Sequence, residues 1–233
     1  MMLTSVDNVI KWLDSMGIRN YTVKENLVVD VNNSVSLTGI ELKELPVKFG
    51  RINGSFNCSD SDLETLVGCP DVVVDSFSCS NCGDLLSLHG GPEYVGGSYD
   101  CSFNKLVSIE CCPKIMSGDF NCSSNYLSSL VGGPERVNGN FDCSGNELNN
   151  LIGCAGYISG DCICAVNKLT SLRGIPEYVG GEFKFNNSNS FLPASVVEME
   201  FNEIKSYYAV EILNEKFKDI VLDMSVERKG KKL

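Results

Sequence analysis

One pattern of apolar and polar positions returns along most of this chain, and it is clearest from Phe120 to Val137, FNCSSNYLSSLVGGPERV. An apolar residue, aromatic in six of eight copies, marks the start of each copy, and successive marks lie 21 residues apart. One step is 22, because Cys82-Gly83 adds a residue to that turn. A period in the twenties predicts a solenoid in which each copy forms one turn. The marks are Val35, Phe56, Phe77, Tyr99, Phe120, Phe141, Cys162 and Phe183.

The residues within each copy also predict the course of the backbone through one turn. The segment V-x-G-x-F-x-C alternates in polarity, as at Val137, Phe141 and Cys143, which predicts a strand with one buried face. Two leucines then turn inward, and Gly and Pro close the turn. An asparagine column precedes the leucines, where side-chain amides can bond the backbone of their own and the neighbouring turn. The column comprises Asn104, Asn125, Asn146 and Asn167, with Ser61 and Ser188 near its two ends.

The spacing L-x-x-N-x-L-x-x-L resembles the leucine-rich repeat in its short form, with Phe and Cys where that family more often has Leu and Val. The resemblance covers about residues 31–192 and implies a mainly β leucine-rich-repeat solenoid of 21-residue repeats with parallel strands. The repeat consensus C-S-x-N-x-L-x-S-L-x-G-x-P-x-x-V-x-G also resembles uncharacterised repeat proteins of large-genome tailed bacteriophages. That second resemblance implies a bacteriophage protein in the cytoplasm of the host cell.

The limits of the repeat predict three segments: an N-terminal cap in residues 1–34, the solenoid in residues 35–192, and a C-terminal helical cap with a basic tail in residues 193–233. Caps are expected because an uncapped stack exposes a strand edge and its apolar core to water.

The two caps have local signals of their own. Thr4 to Met16 has the spacing of a helix with a capping box at Thr4, and Tyr21–Val23 and Leu27–Val31 are typical of strands. A second capping box at Ser195 predicts a helical region, as one bent helix or two, that runs to about Val226.

Twelve cysteines favour a disulfide scaffold at first sight, but six of them share one column of the repeat, which holds Leu37 in the first copy and Phe185 in the last. We therefore expect reduced, buried thiols that pack as small apolar side chains. Side chains stacked on parallel strands point the same way, which disfavours disulfides, and a linear column cannot surround zinc. No metal and no cofactor is expected. The column comprises Cys58, Cys79, Cys101, Cys122, Cys143 and Cys164.

The charge balance limits the partners. The chain has 19 basic and 30 acidic residues and a net charge of −11, which argues against nucleic acid and against an anionic membrane surface. There is no apolar run of about 18 residues and no signal-peptide pattern, so we expect a cytoplasmic protein without a membrane span.

Catalytic residues are scarce, whereas polar outward positions are common. His89 is the only histidine, so any Ser–His or Cys–His pair must include it, and we predict that the protein is not an enzyme.

Small, polar and acidic residues occupy the outward strand positions, where we predict partner binding. The aspartates at these outward positions are expected to face solvent, so replacing them by lysine should leave the fold intact. The predicted contact residues are Asp100, Asp119, Asn121, Asn138, Asn140, Asp142, Asp161 and Glu182.

Two functions remain open at this point. The first is a non-catalytic protein–protein interaction scaffold whose concave strand face binds a partner with a basic or polar patch, a host factor if the chain is a phage protein. The second is a structural or self-associating component, attached to a particle, that makes contact through its ends or its C-terminal helix. The sequence leaves the oligomeric state and the partner's identity open.

Overall fold

A computed structural model of the protein describes residues 2–185, 192, 194–197 and 199–210. The chain divides into two units, Met1–Phe191 and Leu192–Leu233. The first unit is a mainly β solenoid of stacked parallel strands, as the repeat predicts. Its helix is α1 (Val6–Ser15), and its strands are β1 (Tyr21–Val23), β2 (Val28–Val31), β3 (Val35–Ser36), β4 (Lys48–Ile52), β5 (Phe56–Asn57), β6 (Val72–Val73), β7 (Phe77–Ser78), β8 (Tyr94–Val95), β9 (Tyr99–Asp100), β10 (Ile115–Met116), β11 (Phe120–Asn121), β12 (Arg136–Val137), β13 (Phe141–Asp142), β14 (Tyr157–Ile158), β15 (Cys162–Ile163), β16 (Tyr178–Val179) and β17 (Phe183–Lys184).

Each regular turn contributes one strand to each of two ladders. The aromatic ladder contains the eight odd-numbered strands from β3 to β17, all parallel, and each begins at a mark residue of the repeat. The second ladder contains β2, β4, β6 and β8, with β1 antiparallel at its edge, and continues as β10, β12, β14 and β16. Its strand pairing is interrupted between β8 and β10.

A bend separates the two strands of each turn, whereas the sequence predicted one strand there. Between β12 and β13 the bend covers residues 138–140. The inward positions alternate as predicted, since Val137, Phe141 and Cys143 are all buried. The pairing breaks because the backbone N–H of Asn140 donates to the Asp119 side chain of the preceding turn instead of to a backbone carbonyl.

The mark residues form a continuous stack of rings through the core. Neighbouring ring centroids from Phe56 to Phe141 lie 4.9–6.0 Å apart, and all five rings are at most 1% exposed. Tyr99 is the one tyrosine in this run. Its hydroxyl is buried and has no hydrogen-bond partner, so the position favours the phenylalanine found in the neighbouring turns.

The asparagine column ties successive turns together, as predicted. Asn125 Nδ2 donates to the carbonyls of Cys122 at 3.1 Å and of Cys101, one turn earlier, at 3.0 Å. Its Oδ1 accepts from the backbone N–H of Leu106 at 3.0 Å. The bonds to backbone carbonyls recur at Asn104, Asn146 and Asn167. Cys82 occupies this column in the turn with the added residue, and its N–H donates to Asn104 Oδ1.

The N-terminal elements pack against the first turn. Ser5, not the predicted Thr4, caps α1 by accepting a hydrogen bond from the backbone N–H of Asn8. The Trp12 ring lies 6.3 Å from the Phe49 ring, while Leu13 on the same helix is fully buried. The two strands predicted before the solenoid are confirmed, and they form the antiparallel pair of β1 and β2.

The second unit contains the helix α2 (Ala194–Val197), and residues 201–210 are also helical. Ser195 lies within α2 rather than at its N-cap. Val196, Ile204 and Tyr208 are buried, as expected of amphipathic helices. The predicted continuation to Val226 and the basic tail lie outside the described residues, and the capping role of this unit stays a prediction.

Candidate interaction surface

The predicted contact residues fall into three columns of the solenoid. The first column follows the mark residues on the aromatic ladder, the second lies in the bend before them, and the third lies at the end of the second ladder. The first column contains Asp100, Asn121 and Asp142; the second contains Asp119, Asn140, Asp161 and Glu182; the third contains Asn138.

Side chains of the first column hold the backbone that follows them. Asp100 Oδ1 accepts hydrogen bonds from both the N–H and the hydroxyl of Ser102, at 3.0 and 2.6 Å. Asp142 accepts the same two bonds from Ser144, and Asn121 accepts them from the serine two residues after it. All three first-column residues are half-buried. They therefore fix the turn after each strand.

Side chains of the second column form a ladder between turns. Asp119 Oδ1 accepts from the backbone N–H of Asn140 at 2.7 Å, and Asn140 Oδ1 accepts from the N–H of Asp161 at 2.8 Å. Asp161 Oδ1 in turn accepts from the N–H of Glu182 at 2.9 Å. Serine hydroxyls continue this side-chain ladder through the earlier turns, at Ser34, Ser55, Ser76 and Ser98.

A glycine column makes room for the side-chain ladder. An ideal Cβ on Gly139 would lie 2.4 Å from Asp119 Oδ1, and one on Gly160 would lie 2.3 Å from Asn140 Oδ1. Asp75 is the residue of this column between Gly54 and Gly97. In its turn the ladder bond is the longest, at 3.3 Å. Glycine is therefore favoured in this column by the close approach of side-chain oxygens.

These bonds correct the expectation that the aspartates simply face solvent. Asp100, Asp142 and Asp161 are half-buried, and Asp119, although exposed, accepts a ladder bond. Lys184, 2.7 Å from Asp161, and the Glu182 N–H hold the pKa of the Asp161 carboxyl below its usual value. Lysine at these positions would remove acceptors that the fold uses. Partner binding by the predicted columns stays a prediction.

The outward positions of the second ladder form a different surface, which the sequence analysis missed. We call it the tyrosine stripe, and it consists of Tyr94, Ile115, Arg136, Tyr157 and Tyr178. Strand register places the last four side by side on consecutive turns. Tyr94, Ile115 and Tyr178 are 55%, 61% and 48% exposed.

A stacked cluster lies at one end of the stripe. The Arg136 guanidinium lies 3.7 Å from the centre of the Tyr157 ring, and Arg136 Nε donates to Asn138 Oδ1 at 2.8 Å. Asn138, predicted as a partner contact, thus positions this arginine. The Tyr178 ring stacks on Tyr157 with centroids 4.8 Å apart and an angle of 12° between the planes.

A sequence signal for the stripe did exist. The hexapeptide P-E-Y-V-G-G occurs at residues 92–97 and again at 176–181, with the tyrosine directly before an inward valine. A strand residue next to an inward position points outward, so these aromatic residues could have been assigned to the surface. The repeat pattern does not mark these residues, because the residue type at this position varies between repeats.

The cysteine column is buried in the core, as predicted. All twelve cysteines are free, and the six of the column are 0% exposed. The Cys58 and Cys101 thiols each donate to a backbone carbonyl of the next turn at 3.3 Å. Burial raises the pKa of the Cys122 thiol well above its ordinary value, which keeps it protonated and a poor metal ligand. Within the described part of the chain, no group of three or more His, Cys, Asp or Glu side chains is placed to hold a metal ion.

His89 occupies an exposed turn position, as expected from its place in the repeat. Its backbone N–H donates to Ser87 Oγ at 3.1 Å. Equivalent bonds occur at the same place in other turns, for example from Val131 to Ser129. The position is therefore a turn shared by the repeats.

Comparison with protein-family models, curated proteins and solved structures finds no match for the chain. The resemblances to leucine-rich repeats and to phage repeat proteins therefore stay predictions, whereas the solenoid of parallel strands is observed directly. Among the residues that the structure describes, no helix combines the length and apolar character needed to cross a bilayer.

Proposed function

We propose that the protein is a non-catalytic scaffold that binds a protein partner along a strand face of its solenoid, with the tyrosine stripe as the contact surface. The observation that carries this proposal is the row of large outward side chains from Tyr94 to Tyr178, in which strand register holds the last four on consecutive turns and Tyr94, Ile115 and Tyr178 are strongly exposed. Contiguous exposed apolar surface is typical of interaction sites, and tyrosine and arginine are among the side chains enriched at binding hot spots.

The rigid backbone beneath the tyrosine stripe favours binding. Its strands are fixed by ladder bonds and by the buried residues Val95, Met116, Val137 and Ile158. Side chains presented by such a backbone lose little conformational entropy on association. If the resemblance to phage proteins holds, the partner is a factor of the host cell.

Photo-crosslinking tests the proposal. A photoreactive amino acid is placed at Ile115, within the stripe, or at Val107, which is equally exposed at 61% but lies outside it. Irradiation of cells that naturally express the chain should give an adduct with another protein from position 115 and not from position 107. The adduct should disappear when Tyr94 and Tyr178 are both replaced by alanine.

Two results would overturn this proposal. Equal adducts from both positions would mean that contact with the stripe is non-specific. An adduct formed only with a second copy, together with a dimer in size-exclusion chromatography with light scattering, would replace the scaffold by the self-associating component.

A further inference from the structure

We infer that the tyrosine stripe recognises an extended, arginine-bearing segment of the partner, in which two arginines six residues apart stack on Tyr94 and Tyr178. This inference rests on the proposed function and adds the chemistry of the partner. It follows from a stack within the stripe, from the equivalence of the two tyrosines, from the surrounding charge and from the spacing of the turns.

The stripe already contains the recognition chemistry in its own structure. The Arg136 guanidinium lies over the Tyr157 ring, 3.7 Å from the ring centre, and Arg136 Nε also donates to Asn138 Oδ1. A guanidinium is planar and weakly hydrated, so it stacks on an aromatic face more readily than an ammonium group does. A tyrosine of this ladder can therefore accept an arginine from outside in the same way.

Tyr94 and Tyr178 are the proposed receptors at the two ends of the stripe; they occupy the same position of the repeat, and one face of the Tyr178 ring is stacked on Tyr157. Each is followed two residues later by glycine, and an ideal Cβ on Gly96 or Gly180 would lie 3.5 or 3.3 Å from the hydroxyl of the preceding tyrosine. Each ring therefore lies along its own strand, over a residue without a side chain. About half of each tyrosine remains exposed.

Charge favours a basic partner at this surface. Glu93 directly precedes Tyr94, Glu135 directly precedes Arg136, and both glutamates are exposed. The chain as a whole has a net charge of −11, which attracts basic segments over longer distances. Arg136 in the middle of the stripe repels a basic side chain opposite it, so the segment should carry its arginines at the ends.

The spacing of the turns sets the spacing of the two arginines. Tyr94 and Tyr178 lie four turns apart, and the aromatic ladder stays paired through these turns from β9 to β17, which gives a separation of about 19 Å at about 4.8 Å per strand. An extended segment rises about 3.3 Å per residue and points every second side chain to one face, so residues six apart span about 20 Å on the same side. Residues five apart would point to opposite faces.

The test uses the full-length protein and a fluorescent peptide of serine, threonine and valine with arginines at its third and ninth positions. Fluorescence anisotropy should give binding that weakens with added salt. Moving the second arginine to the eighth position, or replacing both arginines by lysine, should weaken binding roughly tenfold. Replacing Tyr94 and Tyr178 by alanine should do the same, whereas replacing both by phenylalanine should largely retain binding.

Tyr126 provides the matched control, because it is 57% exposed and lies outside the stripe. Tyr126→Ala should leave peptide affinity unchanged. Equal loss in Tyr126→Ala, or equal affinity for the two arginine spacings, would overturn the inference. If Ile115 crosslinks to a partner whose arginines can be replaced without effect, the arginine chemistry is wrong and the scaffold function stands. If peptides bind but no crosslink to another protein forms in cells, the scaffold function is wrong.

Discussion

Replacing Gly139 by alanine tests the side-chain ladder that runs through the bends of the solenoid. The new Cβ would lie 2.4 Å from Asp119 Oδ1 and 2.7 Å from the Asp119 nitrogen, both on the preceding turn. Ordinary contacts of a Cβ atom are longer than 3.4 Å. Either the carboxylate must move and lose its hydrogen bond to Asn140, or the two turns must separate.

The expected cost has two parts. Inserting a methyl group into packed structure typically costs about 1–3 kcal/mol, and losing a hydrogen bond costs about 0.5–1.5 kcal/mol. The free energy of unfolding should therefore fall by about 2–4 kcal/mol. Asp75 indicates how the chain can adapt, since the ladder bond in its turn lengthens to 3.3 Å beside the shorter Ser55 side chain.

Urea denaturation followed by circular dichroism measures the change, with Gly156→Ala as the matched control. A Cβ on Gly156 would meet only the Glu135 carbonyl oxygen, at 3.9 Å, and the equivalent position carries glutamate in three other turns, at Glu93, Glu135 and Glu177. The control should be neutral, or more stable by up to about 1 kcal/mol through lower entropy of the unfolded chain. Equal midpoints for Gly139→Ala and wild type, or equal losses in both variants, would refute the argument.

Four further predictions concern the core and the turns. Asn125→Ala should lower the free energy of unfolding by about 2–4 kcal/mol in urea denaturation, because several buried backbone groups lose their partner; a smaller loss than in the exposed Asn149→Ala variant would contradict this. Tyr99→Phe should raise the free energy of unfolding by about 1–2 kcal/mol, because it removes an unpaired buried hydroxyl. A loss of stability would mean that this hydroxyl has a hydrogen-bond partner. Val166→Gly should be stabilising by about 1 kcal/mol, because this β-branched residue has a φ of 54° and is 53% exposed; an unchanged thermal midpoint would argue against strain. Burial raises the pKa of the Cys122 thiol well above its ordinary value of 9.0 in the folded protein. The folded state therefore keeps its full free energy of unfolding at a pH below the pKa of the thiol in the unfolded chain. At higher pH the free energy of unfolding falls, by about 1.4 kcal/mol per pH unit for each such thiol. Circular dichroism and thiol labelling should show joint unfolding and exposure above about pH 9, whereas an intact fold with unreactive thiols at pH 11 would contradict it.

Features that depend on the repeat itself could be predicted from the sequence. A residue that recurs every 21 positions meets its own equivalents in adjacent turns, so the burial of Phe120 and Cys122 follows from the period and from polarity. The inter-turn bonds of Asn125 follow in the same way, from a polar residue held in a fixed column beside buried backbone.

The interaction surface could not be predicted in the same way. Polarity assigned the contact to residues such as Asp100 and Asp119, yet their side chains bond to backbone within the fold. The repeat does not mark Tyr94, because the residue at its position differs from turn to turn, although Tyr94 is 55% exposed. An outward polar residue can face solvent, contact a partner or form hydrogen bonds to backbone groups of its own chain, and the sequence pattern is the same in each case.

Period and polarity imply that the chain stacks as turns of 21 residues around apolar columns, because they decide which side chains leave water. They leave open which outward columns the fold engages and which stay free, and the stacked turns answer that question. A bond such as that from the Asn140 N–H to Asp119 Oδ1 joins residues on different turns, so it depends on distances and angles that arise once the turns are stacked.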